Sequence, residues 1–501
     1  MMSSPIMVLK PELVLTVFGM VLLIYGAWRG PQVSRVIGLL AIGGLVWAIV
    51  CLACPQYGGY HSDASQTWLF GHMLVQDGFA RFVKMILLSA AALSLLMSWN
   101  WLEDEKLAQF EYPVLVLFAT LGMMLMVSAA DLLSLYVGLE LQSLSLYVLA
   151  AFKRDDAKSS ESGLKYFILG ALSSCLILYG ISLIYGFAGT TDFIALGKIE
   201  GMHDYSWRVV GACLKCLPPP PLGVIFGLVF ICAALAFKVS AVPFHMWTPD
   251  VYEGAPTPVT TFFAAAPKVA ALALFTRVLI QPMGGLAHQW VQIVVFVAAA
   301  SMLLGSFAGL VQSNIKRLMA YSSIANVGYA LVGLATGSEA GIQALLLYLA
   351  IYFLNTLGAF GVILFLRRQG KPLEQISDLS GLAKTNPLLA AVMVVFMFSL
   401  AGVPPFAGFF GKYFIFLAAV HAKMTPLAVI GVLTSAVAAF YYLRVIKVMY
   451  FDNPGEPIEV SKDFGLRAVT GFACLIMLLF VFYPSPVIDS ALAAAKSLTG
   501  G

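Results

Sequence analysis

Apolar runs separated by short polar stretches repeat along the whole chain. A run of about 20 apolar residues is long enough to cross a bilayer as a helix. The pattern predicts about fourteen such helices. The first six are Leu13–Ala27, Val36–Leu52, Val83–Ser98, Pro113–Ala130, Leu132–Phe152 and Gly163–Gly186. Next come Leu222–Trp247, Pro258–Ile280, Trp290–Leu310, Leu318–Thr336 and Gly341–Leu366. Leu388–Val420, Pro426–Met449 and Leu466–Phe482 complete the set. The intervening loops are too short for a globular domain, so the predicted fold class is an all-α polytopic membrane protein. Two runs are interrupted. Pro243 falls inside the seventh, and Pro404 and Pro405 fall inside the twelfth.

Proline removes a backbone donor and clashes with the carbonyl four residues back. Lipid cannot satisfy the freed polar groups, so each break must face protein or a water-filled cavity. Both breaks share a wording, small–Val-Pro–Phe, in "FKVSAVPFHMW" and "SLAGVPPFAGFFGK". Each also has a lysine within two turns of its proline. The breaks lie five helices apart, and an odd number of spans reverses orientation. Helices 4–8 and 9–13 are therefore expected to form two inverted five-helix repeats, with discontinuous helices 7 and 12. That division gives N-terminal helices in residues 1–112, repeats in 113–283 and 284–450, and a last helix in 451–501. Broken helices at matching places of inverted halves mark a transport site near the midplane.

Composition agrees: 60% of residues are hydrophobic and 11% charged, against about 25% charged in soluble domains. A net charge of +4 is too small and scattered to indicate nucleic acid. The first apolar run lacks the flanks of a cleavable leader and reads as a retained span. Most of the 29 Lys and Arg fall in loops on one side, which places that side in the cytoplasm and both termini outside. Arg81 and Lys84 are assigned to the outer side, with Phe79–Lys84 expected as an interfacial turn.

Five cations remain inside apolar spans: Lys165, Lys238, Lys268, Arg277 and Lys412. Arg277 lies near a helix end, where it can snorkel. Among the acids, Glu140 alone sits well inside a span, and Asp131 lies at a helix junction. A charge at mid-membrane costs about 2.5–3.5 kcal/mol on insertion scales, so such groups mark an ion or proton path by default. The competing reading for any one of them is snorkelling or a structural ion pair. Burial in a low dielectric disfavours a charged ammonium, which lets a lysine load and release protons. His245, beside the first break, is a secondary candidate, against a structural hydrogen bond.

Three segments carry a family resemblance: "FKVSAVPFHMWTPDVYEGAPTPVTTFFAAAPK", "GLKYFILGALSS" and "LAGVPPFAGFFGKYF". They resemble the antiporter-like membrane subunits of proton-pumping NADH:quinone oxidoreductase, respiratory complex I, and "HMWTPDVYEGAPTPV" looks like the subunit N branch. The resemblance implies a proton relay in which Glu140 and Lys165 form a modulating pair. It makes Lys238 the lysine at the first break, Lys268 the central lysine and Lys412 the terminal one, and it implies that Lys165 is buried. It also implies NADH oxidation and quinone reduction in other subunits, which would hold FMN, iron–sulfur clusters and quinone. Antiporter-like subunit M and small subunits K and J are the implied neighbours, in a bacterial inner membrane. A cation/proton antiporter subunit of Mrp type, or a membrane-bound hydrogenase subunit, would use the same lysines.

No dinucleotide fingerprint occurs between a strand and a helix. Two CxxC pairs, Cys51/Cys54 and Cys213/Cys216, leave a metal, a disulfide or plain thiols open, with plain thiols favoured and no metal expected.

Overall fold

The computed structural model describes residues 5–54, 66–198, 220–456, 458–460 and 463–500. All fourteen expected spans are helical. The first three are α1 (Lys10–Arg29), α2 (Ser34–Ala53) and α3 (Gly78–Asp104). They lead into α4 (Glu111–Val127), α5 (Leu132–Ala150) and α6 (Ala157–Ala188). The seventh span is split into α7a (Leu222–Val239) and α7b (Trp247–Gly254). Then follow α8 (Thr257–Ile280), α9 (Ala287–Leu310), α10 (Ile315–Ala335) and α11 (Glu339–Phe365). The twelfth is split into α12a (Pro387–Ala401) and α12b (Ala407–His421), before α13 (Thr425–Phe451) and α14 (Phe464–Leu479). A further helix, α15 (Ser485–Thr499), packs on α3 and α11 and was not anticipated. A hairpin β1 (Thr67–Leu69) and β2 (Leu74–Gln76) precedes α3. At the opposite end, β3 (Leu366–Arg368) pairs antiparallel with β4 (Lys371–Pro372) and β5 (Glu459–Val460).

Buried side chains cover almost the whole of α8, α10 and α11, while α1, α6 and α13 present large apolar residues outward. Small residues let the helices approach closely, as expected without a hydrophobic drive between them in lipid. Between α4 and α5, a Cβ on Gly122 would meet the Gln142 nitrogen at 2.5 Å. Between α9 and α10, a Cβ on Gly305 would meet the Ala325 nitrogen at the same 2.5 Å. The two helix pairs occupy corresponding places in the five-helix sequence, so the packing repeats as the breaks do.

The breaks correspond residue by residue. Each first half ends in a left-handed residue, Ser240 at φ 66° and Gly402 at φ 84°. Each is followed three residues later by a cis proline, Pro243 and Pro405, and then by Phe244 and Phe406.

Several charges differ from expectation. Arg277 does not snorkel: it is fully buried and makes a bidentate pair with Asp77, at 2.8 and 2.9 Å. Phe79–Lys84 is not an interfacial turn but the buried first turns of α3, started by Asp77, whose side chain accepts from the Ala80 N–H at 2.7 Å. Lys84 points inward to Glu12 at 2.5 Å. Glu12 and Asp77 are thus buried acids too, at the starts of α1 and α3, while Glu140 lies well inside its span. Isolated periodicity cannot reveal such pairs, because each joins helices far apart in sequence.

Candidate functional site

Three side chains on one face of α5, spaced three and four residues apart, start the site: Glu140, Ser143 and Tyr147. Ser174 of α6 donates a short hydrogen bond to the Glu140 carboxylate. Lys238, in the last turn of α7a, donates to Ser143 Oγ at 2.8 Å and to the Tyr147 hydroxyl at 3.4 Å. Glu140 acts electrostatically on Lys238. A helix C-terminus also favours a cation, so the break helps hold Lys238 where it is.

Lys165 is elsewhere. Its ammonium pairs with Glu161 at 2.7 Å and with Asp250 at 2.8 Å, and its side chain is 42% exposed. The implied Glu140–Lys165 pair is thus not formed, and Lys165 is not buried; Lys238 is the lysine facing Glu140. The physical reason is the first break. It turns α7b so that Asp250 reaches Lys165 near the start of α6, a contact that depends on the angle of the break. Arg317 joins the same cluster, at 2.9 Å from Asp250 and 3.0 Å from Glu253. Together with Lys158 these residues line a cavity of about 180 Å³. Burial by itself would raise the Asp250 carboxyl, but hydrogen bonds from Lys165 and Arg317 outweigh it and hold the group below its ordinary range. Glu253 is lowered in the same way, by Arg317 and Lys158 against burial.

Lys268 follows Pro267 in the centre of α8 and is buried. It donates a short hydrogen bond to Ser323 of α10, and its ammonium lies 5.1 Å from the Tyr252 ring centroid. Ser323 in turn bonds the Tyr352 hydroxyl of α11 at 2.7 Å. Tyr352 also lines a small space of about 10 Å³, together with Asn326, Tyr348, Asn355, Ser399 and Lys412. That is room for about one water. Tyr348 donates to Asn326 Oδ1 at 2.6 Å.

Lys412 closes the row. Its ammonium donates to the Leu400 and Ala401 carbonyls at 2.9 and 3.0 Å and to Ser435 Oγ at 2.8 Å. Those carbonyls are the ones left open where α12a stops. The second break therefore solvates the lysine with its own backbone. Gly402 is required there twice over: by its positive φ, and because a Cβ would meet Lys412 Cδ at 2.8 Å.

Between Lys238 and Lys268 the row passes through rings. Tyr147 meets Tyr166 edge-on at 4.9 Å, and Tyr166 stacks on Trp247 at 4.5 Å. Trp247 Nε1 donates at 3.0 Å to the Phe237 carbonyl, which also accepts from the Ser240 N–H at the first break. Val242 N–H is satisfied by Ser301 Oγ at 2.9 Å.

The secondary candidates have local partners. Asp131 caps α5, accepting from Leu133 N–H at 2.7 Å, and receives the Thr191 hydroxyl at 2.6 Å. His245 is half-buried at the first break, with no hydrogen bond to Nδ1. Cys51 and Cys54 are free thiols, and Cys213/Cys216 lie outside the described residues. Sequence reasoning missed Ser143, Ser174, Ser323, Tyr348 and Tyr352. Their signal was polar residues grouped inside apolar spans, as in "LQSLSLY" and "AYSSIANVGYA".

Residues 129–438 match the family model described as NADH:quinone oxidoreductase/Mrp antiporter, TM. NADH-quinone oxidoreductase subunit N of Rhodospirillum rubrum is 52% identical, over 98% of this chain and 96% of its own length. The subunit N of Paramagnetospirillum magneticum is also 52% identical, over 97% of each. A chain of respiratory complex I from Thermus thermophilus with bound aureothin superposes with a TM-score of 0.79. It is 32% identical, over 97% of this chain and 100% of that one. A chain of the Mrp complex from Dietzia has a TM-score of 0.82 at 21% identity, over 100% of this chain and 98% of its own, which is likeness of fold. Conserved fold and half-identical sequence over nearly the full length agree: this chain belongs to the subunit N family of NADH-quinone oxidoreductase.

Proposed function

We propose that Glu140, Lys238, Lys268 and Lys412 pass protons along the middle of the bundle, driven by electron transfer in other subunits. The observation that carries this reading is the pairing of each ammonium with hydroxyls or broken-helix carbonyls instead of lipid. Such partners accept a proton's departure and return without a fixed counter-ion. Moving one charge against 100 mV requires about 2.3 kcal/mol. A Glu–Lys contact at 4 Å is worth about 4 kcal/mol at an effective dielectric of 20, so making or breaking one such contact is adequate in size.

On this reading Lys165 leaves the relay and belongs, with Asp250, Glu253 and Arg317, to a charged mouth at the lysine- and arginine-rich end. The four-part division at residues 112, 283 and 450 describes the working units, two inverted repeats behind three N-terminal helices. The chain is a multi-pass membrane subunit of an oxidoreductase complex; its own share is translocation. FMN, iron–sulfur clusters and quinone belong to partner subunits. Subunits M, K and J are the neighbours proposed, in a bacterial inner membrane. Support for lateral neighbours comes from Pro404 and Pro405, which are exposed on this chain, although irregular backbone cannot face hydrocarbon.

The test is Lys412→Met in the assembled complex. Proton translocation per NADH oxidised is expected to fall severely while all subunits copurify; an unchanged ratio would refute the role. The Mrp-like fold keeps an antiporter reading in view, and sodium-dependent proton exchange by the chain without redox partners would favour it.

A further inference from the structure

At the lysine- and arginine-rich end, a groove of about 230 Å³ opens between the N-terminal helices and α14. Its walls are mostly apolar, with Leu39 and Ile42 of α2 and Leu95 and Leu96 of α3, beside the polar Asn100. Its head carries two opposite charges, Arg35 and Asp463. They are near enough for Arg35 to act on the Asp463 carboxyl. Leu39 and Phe464 at the rim are 64% and 83% exposed, so the groove opens outward from the bundle.

Geometry limits the occupant. Arg35 is at the start of α2 and Asp463 caps α14, so the charged head lies at the membrane–water boundary. From Arg35 to Ile42 the wall descends about 10 Å, at 1.5 Å per residue. The groove is too small to seat a helix, which is about 10–12 Å across, but suits a hydrocarbon chain. A single cation at the head would fit an anionic amphiphile; a cation and a carboxylate together fit a zwitterion. One oxygen of Asp463 is committed to capping, accepting from Gly465 N–H at 2.8 Å. Burial raises the carboxyl above its usual range in spite of the capping N–H groups, and Asp104 adds to the rise, against Arg35.

We propose that this groove binds one zwitterionic phospholipid, its phosphate on Arg35, its amine toward Asp463 and one acyl chain along Leu39 and Ile42. The lipid would fill the seam between the three N-terminal helices and the last spanning helix. Nothing in this assignment depends on the lysine row, so either reading can fail alone.

Photo-crosslinking from a benzophenone side chain decides it, placed at Leu39 in the groove and, as a bulk reference, at Ile24 of α1, which does not line the groove. Both are exposed, at 64% and 70%. The assembled complex is irradiated in native membranes and the adducts are identified by mass spectrometry. At Leu39 the expected adduct is enriched in phosphatidylethanolamine over the Ile24 adduct, at least threefold. Arg35→Ala, with the complex still assembled, is expected to erase that enrichment. A polypeptide adduct at Leu39, or a headgroup profile equal to that at Ile24, overturns the proposal. So does an enrichment that survives Arg35→Ala.

Discussion

Ser323 contributes one hydroxyl, yet it links Lys268 to Tyr352. Removing it leaves a buried ammonium short of a partner, a penalty of about 1–3 kcal/mol, and interrupts the row at its centre. Ser323→Ala is therefore expected to slow proton translocation about tenfold, read as acidification of inverted vesicles per NADH oxidised. Lys165→Ala is the informative contrast. If its work is done at the charged mouth, the rate should change less than twofold; a collapse as deep as that of Lys238→Met would restore Lys165 to the relay. The depth of Lys238, Lys268 and Lys412 was legible in the sequence, because hydropathy alone places a lysine inside a span. Partners were not. Ser143 and Ser435 reach their lysines across helices, and no spacing along one helix encodes that meeting. Lys165 is a mixed case: Glu161, one turn earlier on α6, is a partner that helical spacing supplies, whereas Asp250 sits beyond a break whose angle no pattern supplies.

Helices were read well and their ends less well. Runs of apolar residues gave every span, but first turns holding a charge were trimmed off, as with Gly78–Phe82 around Arg81 in α3, whose cap Asp77 also binds Arg277. That pair ties α3 to α8, the helix that carries Lys268. Both partners are fully buried, and losing one would cost about 3–5 kcal/mol. Asp77→Ala should lower the thermal stability of the purified complex clearly, and the exchanged pair Asp77→Arg with Arg277→Asp should recover part of the loss. Absence of any recovery would mean that the charges are not paired in the membrane. A second tether holds α7b through Asp250 and Glu253. Both carboxyls have depressed folded pKa values, so their contribution is complete above the ordinary carboxylate range of about 4 and is lost only as pH falls further, through the folded values. Their partial exposure keeps the contribution small. Amide exchange in α7b should accordingly stay protected down to about pH 4; deprotection already at pH 6 would contradict the ion pairs.

For the molecule as a whole, the two breaks are the informative feature of the sequence, and their matching halves recur in the fold at Ser240 and Gly402. The correspondence of Ser240 with Gly402 also shows where symmetry stops: Lys238 stands before its break and Lys412 after. Lys412 has a consequence that follows from counting. An ammonium has three N–H groups, and here all three find oxygen: two backbone carbonyls and Ser435. A neutral amine has two. Discharging the side chain must therefore withdraw one N–H from these three oxygens, either from a carbonyl that ends α12a or from Ser435, whose hydroxyl also reaches the Ala401 carbonyl at 3.3 Å. The charge of Lys412 and the hydrogen bonding of that bend are thus coupled. Isotope-edited infrared spectra of the Leu400 and Ala401 carbonyls should shift upward as Lys412 empties, and bands indifferent to its charge would uncouple the two.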